Sequence, residues 1–168
     1  MTLDEARQTL INAWGTLGSS WGVSRTMAQI HALLLVSPEP LTTEDVMTQL
    51  QISRGNANMS LRDLIDWGIV QKVIKTGERK EFFVADKDIW RVAMQVAKER
   101  KKRELEPILR VLDQVSSVEA DIMDPQAKQF AETVQNLRKF AHNADATLET
   151  VIKAEESWFL GNFLKLFK

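Results

Sequence analysis

The stretch that decides the fold is residues 41–84, LTTEDVMTQLQISRGNANMSLRDLIDWGIVQKVIKTGERKEFFV. Thr42 precedes a short amphipathic helix and has an acidic residue three positions on, the spacing of an N-terminal helix cap. Residues 51–53 then form a turn, Ser53 caps a second helix, and Gly68 ends it. Two short apolar runs separated by the basic segment KTGERK predict a β-hairpin after the second helix. This order of elements is typical of a helix that enters the major groove of DNA with a hairpin wing beside it.

The second helix of this stretch is predicted to have a polar outer face. Arginine can donate two hydrogen bonds to guanine, asparagine can pair with adenine, and serine can donate to phosphate. We predict that Arg54, Asn56 and Asn58 contact bases and that Gly55 lets the backbone approach closely. The residues predicted to contact the DNA backbone are Ser53, Ser60, Arg62, Lys75, Arg79 and Lys80, with Arg25 and Thr26 at the start of an earlier helix as further phosphate ligands.

Each of these features also has an explanation that does not involve DNA. A polar helix face is often only solvated, and cations on a hairpin can protect an exposed strand edge from pairing. The succession of helix, turn, helix and basic hairpin favours DNA binding, and residues 51–62 contain no acidic residue that would repel phosphate.

The bulk properties of the chain narrow its class. Its 168 residues, 44% of them hydrophobic, suffice for one substantial core or for a small domain with a helical extension. The net charge is −1, but residues 41–110 carry 14 Lys and Arg against 11 Asp and Glu, so positive charge gathers in the middle.

Without cysteine, disulfides and thiolate metal sites are excluded. No apolar run could span a bilayer and the first residues do not form a signal peptide, so we expect a cytoplasmic protein.

The sequence contains no motif of catalytic chemistry. A phosphate-binding loop, a dinucleotide fingerprint, a nucleophile elbow and a zinc motif are all absent from it. His31 and His142 each stand alone on a predicted helix and are expected to be packing or surface residues rather than metal ligands. We therefore expect neither enzymatic activity nor a metal or cofactor.

Further helices are predicted on both sides of the deciding stretch. The helix over residues 2–17 has an apolar stripe that contains Leu10 and Trp14, which we assign to dimerisation. A second helix is predicted over residues 24–36, and its inner side is formed by Met27, Ile30, Leu33 and Leu34. After the wing, a long helix is predicted from Asp86, kinked or restarted at Pro107, with an inner side formed by Ile89, Trp90, Ala93, Met94 and Ala97.

The C-terminal part contains an apolar repeat typical of a coiled coil. Apolar residues alternate at spacings of four and three over about three heptads. They are Phe130, Val134, Leu137, Ala141, Ala144, Leu148 and Val151. The repeat could pair within one subunit or between two, and we favour two subunits because groove-binding domains gain affinity from two half-sites. The aromatic tail, residues 157–168, is expected to pack in the dimer or the core rather than on a membrane.

Several short runs resemble the MarR-type winged helix-turn-helix regulators, and most closely their GbsR-like branch. They are SPEPLT at residues 37–42, ISRGN at 52–56, LRDL at 61–64, WGIV at 67–70 and GERK at 77–80. The resemblance covers roughly residues 20–110, and beyond that the chain is similar only in being helical. It implies a mostly α fold with a small β-hairpin wing, a winged helix-turn-helix in each subunit of a homodimer, and palindromic operators. In some members it also implies de-repression by a small ligand.

The resemblance carries DNA-binding positions over to Arg54, Asn56, Asn58, Ser60 and the wing residues Arg79 and Lys80, but no ligand motif can be matched. It leads us to expect an N-terminal dimerisation helix at 1–20, a DNA-binding domain at 21–86 and a C-terminal helical dimerisation region at 87–168. The expected partners are double-stranded DNA, a second copy of the chain and a small-molecule effector. The expected function is ligand-responsive transcriptional repression, and the alternative is a winged-helix module that binds proteins without contacting DNA.

Overall fold

The computed structural model describes residues 1–116 and 124–165, and it describes side chains up to residue 154. Its elements run, in chain order, α1 (Leu3–Ser20), α2 (Arg25–Val36), β1 (Leu41–Thr42), α3 (Thr43–Leu50), α4 (Arg54–Asp66), β2 (Val70–Ile74), β3 (Glu81–Ala85), α5 (Ile89–Arg100), a π-helical turn (Lys101–Leu105), α6 (Glu106–Val115) and α7 (Pro125–Lys165). The described chain is mostly helical with a small antiparallel sheet, which confirms the predicted fold class. It divides into two compact units, Met1–Gln95 and Val96–Lys168.

The helix-turn-helix is formed by α3 and α4, as predicted from their caps. The Thr42 hydroxyl accepts a hydrogen bond from the Asp45 N–H, and the Asp45 carboxylate accepts one from the Thr42 N–H. Gln51 then takes a left-handed conformation with φ of 53°, which ends α3. The Ser53 hydroxyl accepts from the Asn56 N–H and starts α4, and Gly68 follows α4 with φ of 72°. Local capping therefore sets both boundaries of α4.

The sheet has the strand order β1-β3-β2 and is antiparallel throughout. Strands β2 and β3 pair in register from Val70 opposite Ala85 to Ile74 opposite Glu81, and residues 75–80 form the loop of the wing. The sequence did not predict the two-residue strand β1, whose Leu41 lies opposite Phe83. It ties the start of the helix-turn-helix to the wing.

Helix α2 lies at the centre of the first unit and packs against α1, α3, α4 and β3. Met27, Ile30, Leu33 and Leu34 are buried on it, as predicted. Helix α1 is longer than predicted and continues through Gly18, where a Cβ atom would come within 2.5 Å of the Ala28 Cβ. Glycine at this position lets the two helices pack closely.

The expected inner side of α5 is wrong in part. Trp90 is 59% exposed, and Ile89 and Ala93 are also exposed, whereas Val92 is buried. Helix α5 starts where the Asp88 carboxylate accepts hydrogen bonds from the N–H groups of Trp90 and Arg91. The helix packs with Val92 inward, so residues 89, 90 and 93 face outward.

In the second unit, the π-helical turn lies directly before Pro107. The Glu106 N–H donates to the carbonyl of Lys101, five residues back, and the chain then enters α6 with Pro107 in its first turn. Proline in a helix interior removes one backbone donor and crowds the carbonyl four residues earlier. The change in hydrogen-bonding pattern accommodates it, which confirms the predicted interruption.

Helix α7 packs against α6 and the π-helical turn within the same chain. Of the predicted apolar repeat, Val134 and Ala141 are buried by this packing, and Ala144 is half-buried. The assignment of Val134 and Ala141 to an interface between subunits is therefore wrong, whereas that of Ala144 stays a prediction. By contrast Leu137 is 51% exposed, and Phe130, Leu148 and Val151 are exposed as well. The predicted aromatic tail lies outside the described side chains.

Candidate nucleic-acid interface

The outer face of α4 is open to solvent. Ala57, Leu61 and Leu64 on the inner side are buried, as the spacing predicted. The outer face is defined here by its exposed residues, which are Arg54, Gly55, Asn56, Asn58, Met59 and Arg62. Apart from its two chain neighbours and the backbone of its own helix, no atom lies within 4 Å of the position that a Cβ of Gly55 would take, so the backbone there is open to solvent. Ser53, which caps the helix, is exposed beside this face.

One residue predicted for this surface lies elsewhere. Ser60 is only 3% exposed, because it lies three residues after Ala57 and four before Leu64 on the buried side of α4. The prediction that Ser60 contacts the DNA backbone is therefore wrong. The helical repeat places Ser60 between two core residues, and this position outweighs the polarity of its hydroxyl.

Arg54 has a partner that sequence analysis missed. One of its guanidinium nitrogens lies 3.0 Å from a carboxylate oxygen of Glu44, at the start of α3, and both side chains are largely exposed. Hydrogen bonds from its own backbone N–H and from Arg54 hold the pKa of Glu44 below its ordinary value. Only the turn between α3 and α4 brings these two residues together, so no spacing in the sequence could have indicated the pair.

The wing presents its cations in different environments. Arg79 and Lys80 are exposed, whereas Lys75 is half-buried with its ammonium 4.4 Å from the centre of the Phe82 ring. This cation–π contact holds Lys75 against β3. The pKa of Asp45 is lowered by hydrogen bonds from Thr42 and also by the charge of Lys80. Arg79 and Lys80 are thus the cations most open to a phosphate backbone.

The further phosphate candidates on α2 fit less well. Arg25 is exposed, but its aliphatic part lies against Gly15 of α1, with Cγ 3.2 Å from the position of a Cβ there. Thr26 is half-buried. The N-terminus of this helix is capped by the Ser24 hydroxyl, which accepts from the Met27 N–H. Arg25 remains accessible at this end of α2, but Thr26 offers little free surface.

His31 lies in the core rather than on a binding surface. It is buried on α2, its ring centre is 6.3 Å from that of Trp14, and within the described residues its Nε2 has no hydrogen-bond partner. Burial first, and then the charge of Lys87, lower its pKa to about 4. The prediction of a packing histidine is confirmed. Among the described residues no group of three or more His, Cys, Asp and Glu is placed to hold a metal ion.

None of the helices in the described part of the chain combines the length and the apolar character that a membrane crossing requires.

Comparison with known proteins agrees with this geometry. No protein-family profile matches the chain. It is 21% identical over 115 residues to the HTH-type transcriptional repressor GbsR of Bacillus subtilis (strain 168), and the match spans 68% of this chain but only 63% of that repressor. A crystal structure described as that of a transcriptional regulator superposes with a TM-score of 0.62, at 18% identity, covering 90% of this chain and 99% of the other. The chain thus has the fold of a winged helix-turn-helix regulator and is similar in sequence to GbsR, as the runs within residues 37–80 predicted.

Proposed function

We propose that the protein binds double-stranded DNA in a sequence-specific manner and regulates transcription as a repressor. The outer face of α4 carries the proposal, because it is exposed while the opposite side builds the core. From residue 51 to 62 it combines two arginines and two asparagines with no acidic residue. Side chains of these types recognise guanine and adenine edges in the major groove, and the carboxylate next to this segment, that of Glu44, is paired with Arg54.

In this proposal the residues have separate tasks. Arg54, Asn56 and Asn58 contact base edges, and Gly55 brings the helix backbone close to the DNA. Contacts to the phosphates come from Ser53, Arg62, Lys75, Arg79, Lys80 and Arg25. Phosphate contacts determine the position of the protein on the duplex, and base contacts determine the sequence that it prefers.

We infer further that the protein acts as a homodimer on a palindromic operator. Exposed apolar side chains on α1 and α7 support this, because their exposure in a single chain is costly and a second copy could cover them. They include Leu3, Leu10 and Leu17 on α1 and Phe130, Leu137, Phe140, Leu148 and Val151 on α7. Trp14 contributes less, since it is half-buried against His31. In this arrangement residues 1–20 and 87–168 provide dimerisation and residues 21–86 bind DNA.

The repressor role is supported by the name of the GbsR relative, and release from DNA by a small-molecule effector rests on the resemblance alone. The alternative, a winged-helix module that binds proteins without DNA, is not favoured, because the comparisons that match are with transcriptional regulators.

The experiment begins by selecting duplexes from a random pool with the wild-type protein and measuring their binding by fluorescence anisotropy. Binding should weaken by about a thousandfold or more between roughly 50 and 200 mM salt, as expected for a protein that neutralises several phosphates. Asn56→Ala should cost about 1–3 kcal/mol and relax the preference at one position of each half-site. The matched control is Asn143→Ala on α7, an exposed asparagine outside the DNA-binding residues 21–86 and not among the apolar side chains proposed for dimerisation, which should bind like the wild type.

Two outcomes would contradict the proposal. Absence of salt-sensitive, selective binding would exclude DNA recognition and support the protein-binding alternative. An unchanged base preference in Asn56→Ala would remove Asn56 from the base-contacting set.

A further inference from the structure

We propose that Met59 contacts the C5 methyl group of a thymine in the major groove and thereby helps to determine which base pair the protein prefers. The inference rests on the proposed function, since it concerns the same helix. Met59 is the large apolar side chain of the outer face. Core packing does not explain its presence there, and neither do the proposed polar contacts to DNA.

The position of Met59 is the first argument. Its side chain is 61% exposed, and it lies on the side of α4 opposite Ala57 and Leu61, which are buried. It therefore contributes little to the core. Its helical neighbours on the outer face are Gly55, one turn earlier, and Arg62, three residues later. Met59 thus lies near the middle of the surface proposed to enter the groove.

The space around Met59 is the second argument. Side chains on an α-helix lean toward the N-terminus, so Met59 projects toward the turn that contains Gly55 without filling the space there. A Cβ atom at Gly55 would meet no atom within 4 Å, so nothing fixed competes for this space. The unbranched thioether can therefore lie along the open backbone at Gly55, next to Asn56 one turn earlier on the helix. Methionine is flexible and polarisable, so it can adjust to a partner in a shallow position.

The chemistry of the groove is the third argument. Among the groups that base pairs present in the major groove, the C5 methyl of thymine is the apolar one, and the others are hydrogen-bond donors or acceptors. A methionine side chain against a polar base edge displaces water from that edge without replacing its hydrogen bond. The C5 methyl of thymine needs no hydrogen bond, so contact with it carries the smallest cost in free energy. The same methyl group occurs in 5-methylcytosine. We assign the contact to thymine, because unmodified DNA presents this methyl group only there.

The test removes the methyl group and nothing else. In a duplex selected by the wild-type protein, each thymine is replaced in turn by deoxyuridine, which keeps every hydrogen-bonding group. We expect one thymine in each half-site at which wild-type binding weakens about fourfold, the factor for burial of one methyl-sized group. Met59→Ala should bind the thymine and uridine duplexes equally at that position. Met59→Leu, which restores an apolar side chain, should again prefer thymine.

Two controls separate the contact from general effects. Arg62→Ala changes the next outer residue along α4, so it should weaken binding to both duplexes but keep their ratio. In a duplex with a C·G pair at the same position, methylation of that cytosine at C5 should strengthen wild-type binding and leave Met59→Ala unaffected. This arm distinguishes a methyl contact from recognition of the thymine oxygen.

Three results would overturn the inference. The first is wild-type binding that no uridine replacement changes. The second is a Met59→Ala protein that still distinguishes thymine from uridine as strongly as the wild type does. In both cases selective DNA binding itself is intact, so the proposed function survives. The third is a wild-type protein with no selective binding, which overturns the proposed function and this inference together.

Discussion

Lys87 is expected to stabilise the first unit by capping the C-terminus of α2. The residue follows β3, and its ammonium donates hydrogen bonds to the carbonyls of Leu34 at 2.7 Å, Leu35 at 2.5 Å and Ser37 at 2.9 Å. The last four carbonyls of a helix have no partner within the helix, and they carry the negative end of its dipole. One lysine, about fifty residues away in sequence, therefore serves the end of the central helix.

The substitution Lys87→Met keeps the aliphatic stem and removes the charge. A hydrogen bond to a charged group contributes about 1.5–3 kcal/mol, and a cation at a helix C-terminus about 0.3–1 kcal/mol. Lys87 is exposed to solvent, so water would replace some of the lost bonds. We therefore expect the free energy of unfolding to fall by about 2 kcal/mol, which lowers the urea midpoint by about 1 M for a protein of this size.

The measurement is urea unfolding at neutral pH, followed by circular dichroism and by tryptophan fluorescence. Lys128→Met on the exposed side of α7 is the matched control and should unfold like the wild type. If Lys87→Met had the midpoint of the wild type within error, the three hydrogen bonds would contribute nothing net and the reasoning would be refuted. A loss shared equally by Lys128→Met would indicate a general effect of charge instead.

Four further outcomes are expected. Glu44→Gln should tighten binding to any duplex, because it frees Arg54 and removes a carboxylate near phosphate; weaker binding would contradict this. Lys80→Gln should weaken binding to all sequences alike and flatten the salt dependence, and a change confined to one sequence would exclude a phosphate contact. His31 has a folded pKa of about 4 against 6.5 unfolded, so the wild type should lose stability as pH falls from 6.5 toward 4. His31→Gln should lose less over that range in urea midpoints. Leu137→Glu on α7 should shift the mass in light scattering from dimer to monomer, and an unchanged mass would place the interface elsewhere.

The local signals of residues 41–84 predicted the helix-turn-helix and the hairpin of the first unit correctly, but not the short strand β1. Thr42 and Ser53 cap the two helices, Gly68 follows the second, and the hairpin forms where the basic segment separates two apolar runs. These signals act between neighbouring residues in the chain. A cap satisfies backbone donors within one turn, and a glycine supplies a left-handed backbone wherever it stands.

Predictions that depended on which side of a helix meets the core were less reliable. Trp90 faces outward because α5 packs through Val92. The spacing of apolar residues indicates that a helix is amphipathic, but packing decides which of its residues face the core. The apolar repeat of α7 illustrates the same point, since Val134 packs within the chain while Leu137 remains exposed.

The amino-acid sequence by itself determined the order of the elements, their caps and the polar character of α4, because each follows from residues within a few positions of one another. Only the tertiary structure decided that Arg54 pairs with Glu44, that Lys87 caps α2 and that Met59 is exposed next to open space at Gly55. These contacts join residues from different elements, or depend on what else fills the space around them. Hydrogen bonds and ion pairs of this kind form wherever folding brings two groups within about 3 Å, and the distance along the chain does not indicate where that is.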